Sequence, residues 1–105
     1  MFLEQPFIEK RISISEIDDL KALFGNFDEN IKIIEEKYPV HIVYRQGEVV
    51  ILGAEEHVNF VEQLLYRLMQ ILRSGESLDS QKIHYAIQLV EKGQGESIKG
   101  LLEDV

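Results

Sequence analysis

The run VHIVYRQGEVVILG, residues 40–53, leaves this chain the fewest choices. Two stretches rich in β-branched residues, VHIVYR and EVVIL, flank Gln46-Gly47. A two-residue connection between such runs predicts a β-hairpin, with Gly47 free to take a positive φ. The segment RISI at 11–14 alternates polar and apolar residues, as a further short strand would. Helical periodicity fills the rest. Ser15 can cap a helix, with Asp18 as a weaker form of the capping box, and Ile17, Leu20, Leu23 and Phe24 share one face. Gly25 is placed to end that helix. Asp28 is placed to cap the next one, whose stripe is Ile31, Ile34 and Tyr38 and which Pro39 stops.

Residues 55–73 predict the longest helix. Val58, Val61, Leu65, Leu68 and Leu72 recur at three- and four-residue steps, widened by Phe60, Leu64 and Ile71. Its apolar residues fall on more than one face, so either the sheet and a fourth helix cover it, or a partner does. SGES at 74–77 breaks the helix. Asp79 can cap a last one, with Ile83, Ala86, Ile87 and Val90 as its stripe. The expected fold is α+β, β-α-α-β-β-α with an extra C-terminal helix, and a three-stranded antiparallel sheet covered on one face by helices. Residues 1–9 read as a loose arm, 10–92 as the domain, and 93–105, with three glycines in GQGESIKG, as a linker or tail.

Composition narrows the function. With no cysteine, disulfides and thiolate chemistry are excluded. Apolar runs are far too short for a membrane span and the N-terminus lacks a basic leader, so a cytoplasmic protein with no membrane partner is expected. The net charge of −8 opposes non-specific binding to nucleic acid, which depends on neutralising phosphates. Residues 21–52, with four basic and five acidic groups, are the least repulsive third.

No catalytic constellation is present. His41, His57 and His84 form no i,i+4 pair, so no metal site is expected. The pairs Asp18-Asp19, Glu35-Glu36 and Glu55-Glu56 point about 100° apart on a helix, unlike an acid/base pair. No serine sits on a nucleophile elbow. Gly95 and Gly100 have the spacing of a phosphate loop, but Leu101-Leu102 stand where Lys and Ser or Thr are required.

One motif remains. GNFD, residues 25–28, between two helices, resembles the GxxG loop of KH domains, which brings backbone amides to nucleic-acid phosphates. The ordered segments ENIKIIEEKYPVHI and VVILGAEEHVNFVEQLL extend the likeness, while Asp28 departs from it. More narrowly, ALFGNFDENIKIIEEKYPV, VYRQGEVVILG and LMQILRSGESLDSQKIHYAIQLVEKG resemble the N-terminal region of the PhoH family, phosphate-starvation-inducible-type proteins with a P-loop ATPase domain. The likeness spans roughly residues 11–93. It implies an accessory KH-like domain that precedes an ATPase domain in the parent protein, with ATP and Mg bound by that other domain and no cofactor in this chain. It also implies single-stranded RNA as a partner, in RNA metabolism. Gly25 and Asn26 would then offer amides, Lys32 and Arg45 charge, and Ile31, Ile34 and Ile42 an apolar floor, although core packing is the plainer role for the isoleucines. The alternative is an interaction or assembly module with a degenerate loop, contacting its own ATPase domain, a second copy or an RNA-processing partner. This chain is not expected to be an enzyme. Purified protein should show no ATP turnover; steady hydrolysis that survives further purification would overturn this.

Overall fold

The computed structural model describes residues 7–95. Strand β1 (Phe7–Ser13) leads into helix α1 (Ile17–Phe24), a single 3-10 turn (Asn26–Asp28) and helix α2 (Glu29–Lys37). Strands β2 (Val40–Arg45) and β3 (Glu48–Ala54) follow, then helices α3 (Glu55–Arg73) and α4 (Ser80–Gly95). This is the α+β arrangement expected, a KH-like β-α-α-β-β-α core with α4 as the additional helix.

The hairpin sets the sheet. Gln46 and Gly47 both take positive φ, 52° and 83°, the backbone of a type I′ turn. Strand β3 lies in the centre, antiparallel to both neighbours, in the order β1-β3-β2. The register puts Ile42 opposite Ile51 and Ile12 opposite Val49, so these side chains share the face that the helices cover. Lys10 is on that face too, opposite Ile51. Its stem crosses apolar surface and its amine reaches the Glu62 carboxylate of α3 at 3.3 Å.

Helix α3 is the centre of the core. Val58, Val61, Leu64, Leu65 and Leu68 are all fully buried. The sheet contacts one side of α3 and α4 and α1 contact others, so this chain supplies the cover that the wide apolar face demands. A Schellman turn ends the helix: the Gly75 N–H donates to Leu72 O at 3.0 Å and the Glu76 N–H to Ile71 O at 3.4 Å. Asp79 caps α4 as expected, accepting from the Lys82 N–H at 2.8 Å. Helix α4 buries Ile83, Ala86, Ile87 and Val90. It is tied to the end of α2 by Tyr38, whose hydroxyl donates to the Glu91 carboxylate and whose ring lies 4.6 Å from that of Phe60.

Several boundaries differ from expectation. Residues 7–9 pair with β3 rather than forming a loose arm, because the polar Glu9-Lys10-Arg11 run hides an inner-face alternation of Ile8, Lys10 and Ile12. Ser15 does not cap α1; Glu16 occupies that position, without a side-chain bond. Ile17 is exposed, since the first helical residue precedes the turn that reaches the core. Strand β3 runs through Gly53 to Ala54, and α4 continues through Gly93 to Gly95. A single glycine costs a helix only about 1 kcal/mol, and the buried stripe upstream holds this one. Residues 1–6 and 96–105, including most of the glycine-rich tail, lie outside the described residues.

The Tyr38 hydroxyl gives a measurable handle on α4. Burial, then the bond to Glu91, raises its pKa well above the ordinary value of 10.0. A pKa raised by folding contributes stability that is complete below the unfolded value and is lost as pH rises past it. Tyr38→Phe should therefore lower stability by about 1 kcal/mol at neutral pH. Urea midpoints of the two proteins should converge as pH climbs above about 10. A difference that is zero at neutral pH, or unchanged at high pH, would contradict this.

Candidate functional site

The GNFD loop is a tight corner built by one glycine and one buried asparagine. Gly25 has φ 81° and ψ 177°, a conformation that is almost exclusive to glycine. A Cβ at this position would stand 2.8 Å from Asn30 Nδ2, closer than real contacts allow. Asn30 is the buried polar side chain of the described core, and its amide donates to Ala22 O, in the last turn of α1, at 3.2 Å. The start of α2 is thereby fastened to the end of α1.

Inside the corner the backbone turns left-handed twice. Phe27 has φ 53° and ψ 33°, and Asp28 has φ 59° and ψ 28°. Left-handed angles cost a residue with a side chain roughly 1–2 kcal/mol, less for aspartate. They also correct the expected role of Asp28. A helix cap needs extended angles for its side chain to reach the free amides, and Asp28 makes no such bond. Two loop amides are used internally: the Gly25 N–H donates to Lys21 O at 2.8 Å and the Asp28 N–H to Gly25 O at 3.2 Å. A phosphate-cradling loop would leave its amides outward; here the fourth position turns its amide inward and adds a carboxylate.

Phe27 points the other way, with 92% of its surface exposed. Beside it is a groove of about 370 Å³, lined by Leu20, Lys21, Phe24, Gly25, Asn26, Phe27, Asp28 and Tyr44. Tyr44 brings in the outer edge of β2, which is an edge strand. Because Arg45 and Glu48 close the hairpin, the amides of Val40, Ile42 and Tyr44 face away from β3. Val40 N–H donates to Tyr38 O at 2.7 Å. Ile42 N–H donates to the Glu35 carboxylate at 2.8 Å, and His41 Nδ1 lies 3.5 Å from the same group. Among the described residues the Tyr44 amide has no such partner, and Tyr44 is one of the residues that line the groove.

The structure places Gly25 and Asn26 in this lining, and does not place Lys32 or Arg45 there. Lys32 is exposed on α2, and Arg45 closes the hairpin opposite Glu48, on the sheet face away from the helices. Ile31, Ile34 and Ile42 are core residues and offer no floor to a ligand. Lys21, Phe27 and Tyr44 line the groove as well and are not among the residues expected from the sequence. An aromatic residue inside a four-residue polar corner was the available signal for Phe27. Among the described residues no cluster of three or more histidine or acidic side chains could hold a metal ion. None of the described helices is long and apolar enough to cross a membrane.

Comparison with known proteins bears out the likeness to the PhoH family. The chain is 26% identical over 87 residues to a PhoH-like protein of Bacillus subtilis (strain 168). The aligned part covers 83% of this chain and 27% of that protein, so the chain spans about a quarter of the length of the curated relative it matches. No protein-family model matches the chain, and no solved structure matches it.

The corner makes opposite demands at its two ends. Gly25→Ala should lose at least about 2 kcal/mol, through both backbone strain and the Asn30 contact. Asp28→Gly should leave stability unchanged or raise it by up to about 1 kcal/mol, since a left-handed residue gains from glycine and no cap is lost. Urea denaturation checks both; a clear loss from Asp28→Gly would restore its capping role.

Proposed function

We propose that this chain is the KH-like accessory domain of a PhoH-like P-loop ATPase and that it holds single-stranded RNA weakly in the groove between the GNFD corner and the edge of β2. The observation that carries the reading is the meeting of that corner with Tyr44 in one groove, at the strand edge where the Tyr44 amide faces away from β3. The match to one section of a longer PhoH-like protein supports the relation to that family. ATP and Mg belong, on this reading, to the ATPase domain of the parent, which is also the domain's first partner.

Weak binding follows from charge. The groove carries one cation, Lys21, and one anion, Asp28. A carboxylate about 4 Å from a phosphate opposes it by about 1 kcal/mol even at the dielectric of water. A second reading, a protein-interaction module without nucleic acid, has its own support: Glu35 already holds the Ile42 amide, so part of the β2 edge is closed to a base.

Fluorescence anisotropy with labelled single-stranded RNA at low salt separates the two. Asp28→Gly should raise affinity several-fold, about the size of one removed repulsion. Lys21→Glu in the same background should abolish the gain, whereas Lys32→Glu should leave it. A folded Asp28→Gly variant whose RNA affinity is unchanged would favour the interaction module.

A further inference from the structure

We infer that the ring of Phe27 is a nucleobase platform, so that this groove grips a single strand by stacking on a base and not by cradling a phosphate. The inference rests on the nucleic-acid reading above and specifies how the site works. Four observations converge on it. Phe27 is 92% exposed, so it contributes almost nothing to the core. Its backbone is left-handed, at φ 53°, where glycine would fit with less strain. Neither burial nor local conformation accounts for a phenylalanine at this position. The third is the bond from Asn30 to Ala22 O, which fastens together the two helices on either side of Phe27. The fourth is the Asp28 amide, turned inward to Gly25 O at the position where a phosphate loop needs it outward.

The occupant follows from charge and geometry. A chain of net charge −8 gains little from a polyanion's backbone. Every base, however, has a π-face that stacks on an aromatic ring irrespective of sequence. Tyr44, 41% exposed, brings a second aromatic ring to the groove, and its outward amide offers a donor to the edge of a stacked base. A flat ring with polar edges fits that combination better than an aliphatic side chain of a protein partner.

The test uses the 105-residue chain and three probes of about 8 units, within the size range of single-strand sites: single-stranded oligouridine RNA, a peptide nucleic acid of the same bases on a neutral backbone, and an abasic ribose-phosphate oligomer. The first two should bind within about threefold of each other, and the third should not bind. RNA affinity should fall only shallowly with salt, with a logarithmic slope of about −0.7, equivalent to one phosphate contact. Phe27→Leu, which keeps apolar bulk, and Phe27→Gly, which keeps the backbone, should each weaken both base-bearing probes about tenfold, and Phe27→Tyr should retain them. Phe27→Gly should unfold at the same or higher urea, which separates lost binding from lost folding.

RNA binding with no binding of the neutral-backbone probe, or with unchanged affinity in Phe27→Gly, would overturn the stacking inference and leave the nucleic-acid reading standing. Retained binding by Phe27→Leu would also overturn it, showing that bulk suffices. If the wild-type chain binds none of the three probes, the nucleic-acid reading fails and this inference fails with it.

Discussion

Everything in this domain leans on helix α3. A helix that buries Val58, Val61, Leu64, Leu65 and Leu68 completely has to be enclosed from more than one direction. The sheet encloses it from one side, and α4 and α1 from others. That arrangement explains why a strand-helix-helix-strand-strand-helix unit carries a fourth helix. Without α4, which supplies Ile83, Ala86, Ile87 and Val90, part of α3 would face water. The Tyr38–Glu91 bond and the Tyr38–Phe60 ring contact tie the C-terminal end of α2 into the same assembly. The position of the GNFD corner at the other end of α2 is thus set by packing some distance away.

The corner itself sets the demands of backbone shape against those of charge. Gly25 and Asn30 preserve the tight passage between α1 and α2. Asp28 keeps the left-handed backbone that a glycine would adopt, yet brings a carboxylate and turns its amide inward. A carboxylate and an inward amide thus stand where a phosphate loop would want an outward donor, and Phe27 is almost fully exposed.

The fold was legible from sequence where burial and turn chemistry agreed. Gln46-Gly47 marked the hairpin, SGES the end of α3, and Asp79 the start of α4, each by a local mechanism that tertiary packing did not override. The misreadings have physical causes. Lys10 occupies an inward sheet position by running its stem along the core, so the sequence masks the inner-face alternation of β1. Asp28 has the right chemistry for a cap, and only its backbone angles show that it is not one. The site was less legible still. Charge and position in the chain point to Lys32 and Arg45, but the groove depends on which strand forms the edge and which way its residues face. Tyr44 enters it from a segment far along the chain, and Phe27 enters because of two dihedral angles that sequence does not display.

Glu35 bears on the solubility of the fold. Strand β2 is an unpaired edge of the kind that invites another strand to add to it. The Glu35 carboxylate sits on the Ile42 amide at the middle of that edge, with an ion-pairing distance to His41 as well. An incoming strand would have to displace a charged group and bury it, or skip the central rung of its ladder. The edge therefore admits isolated donors and acceptors near Tyr44 but rejects a continuous backbone. A single glutamate acts as a stopper against sheet-to-sheet aggregation while leaving the mouth of the groove open.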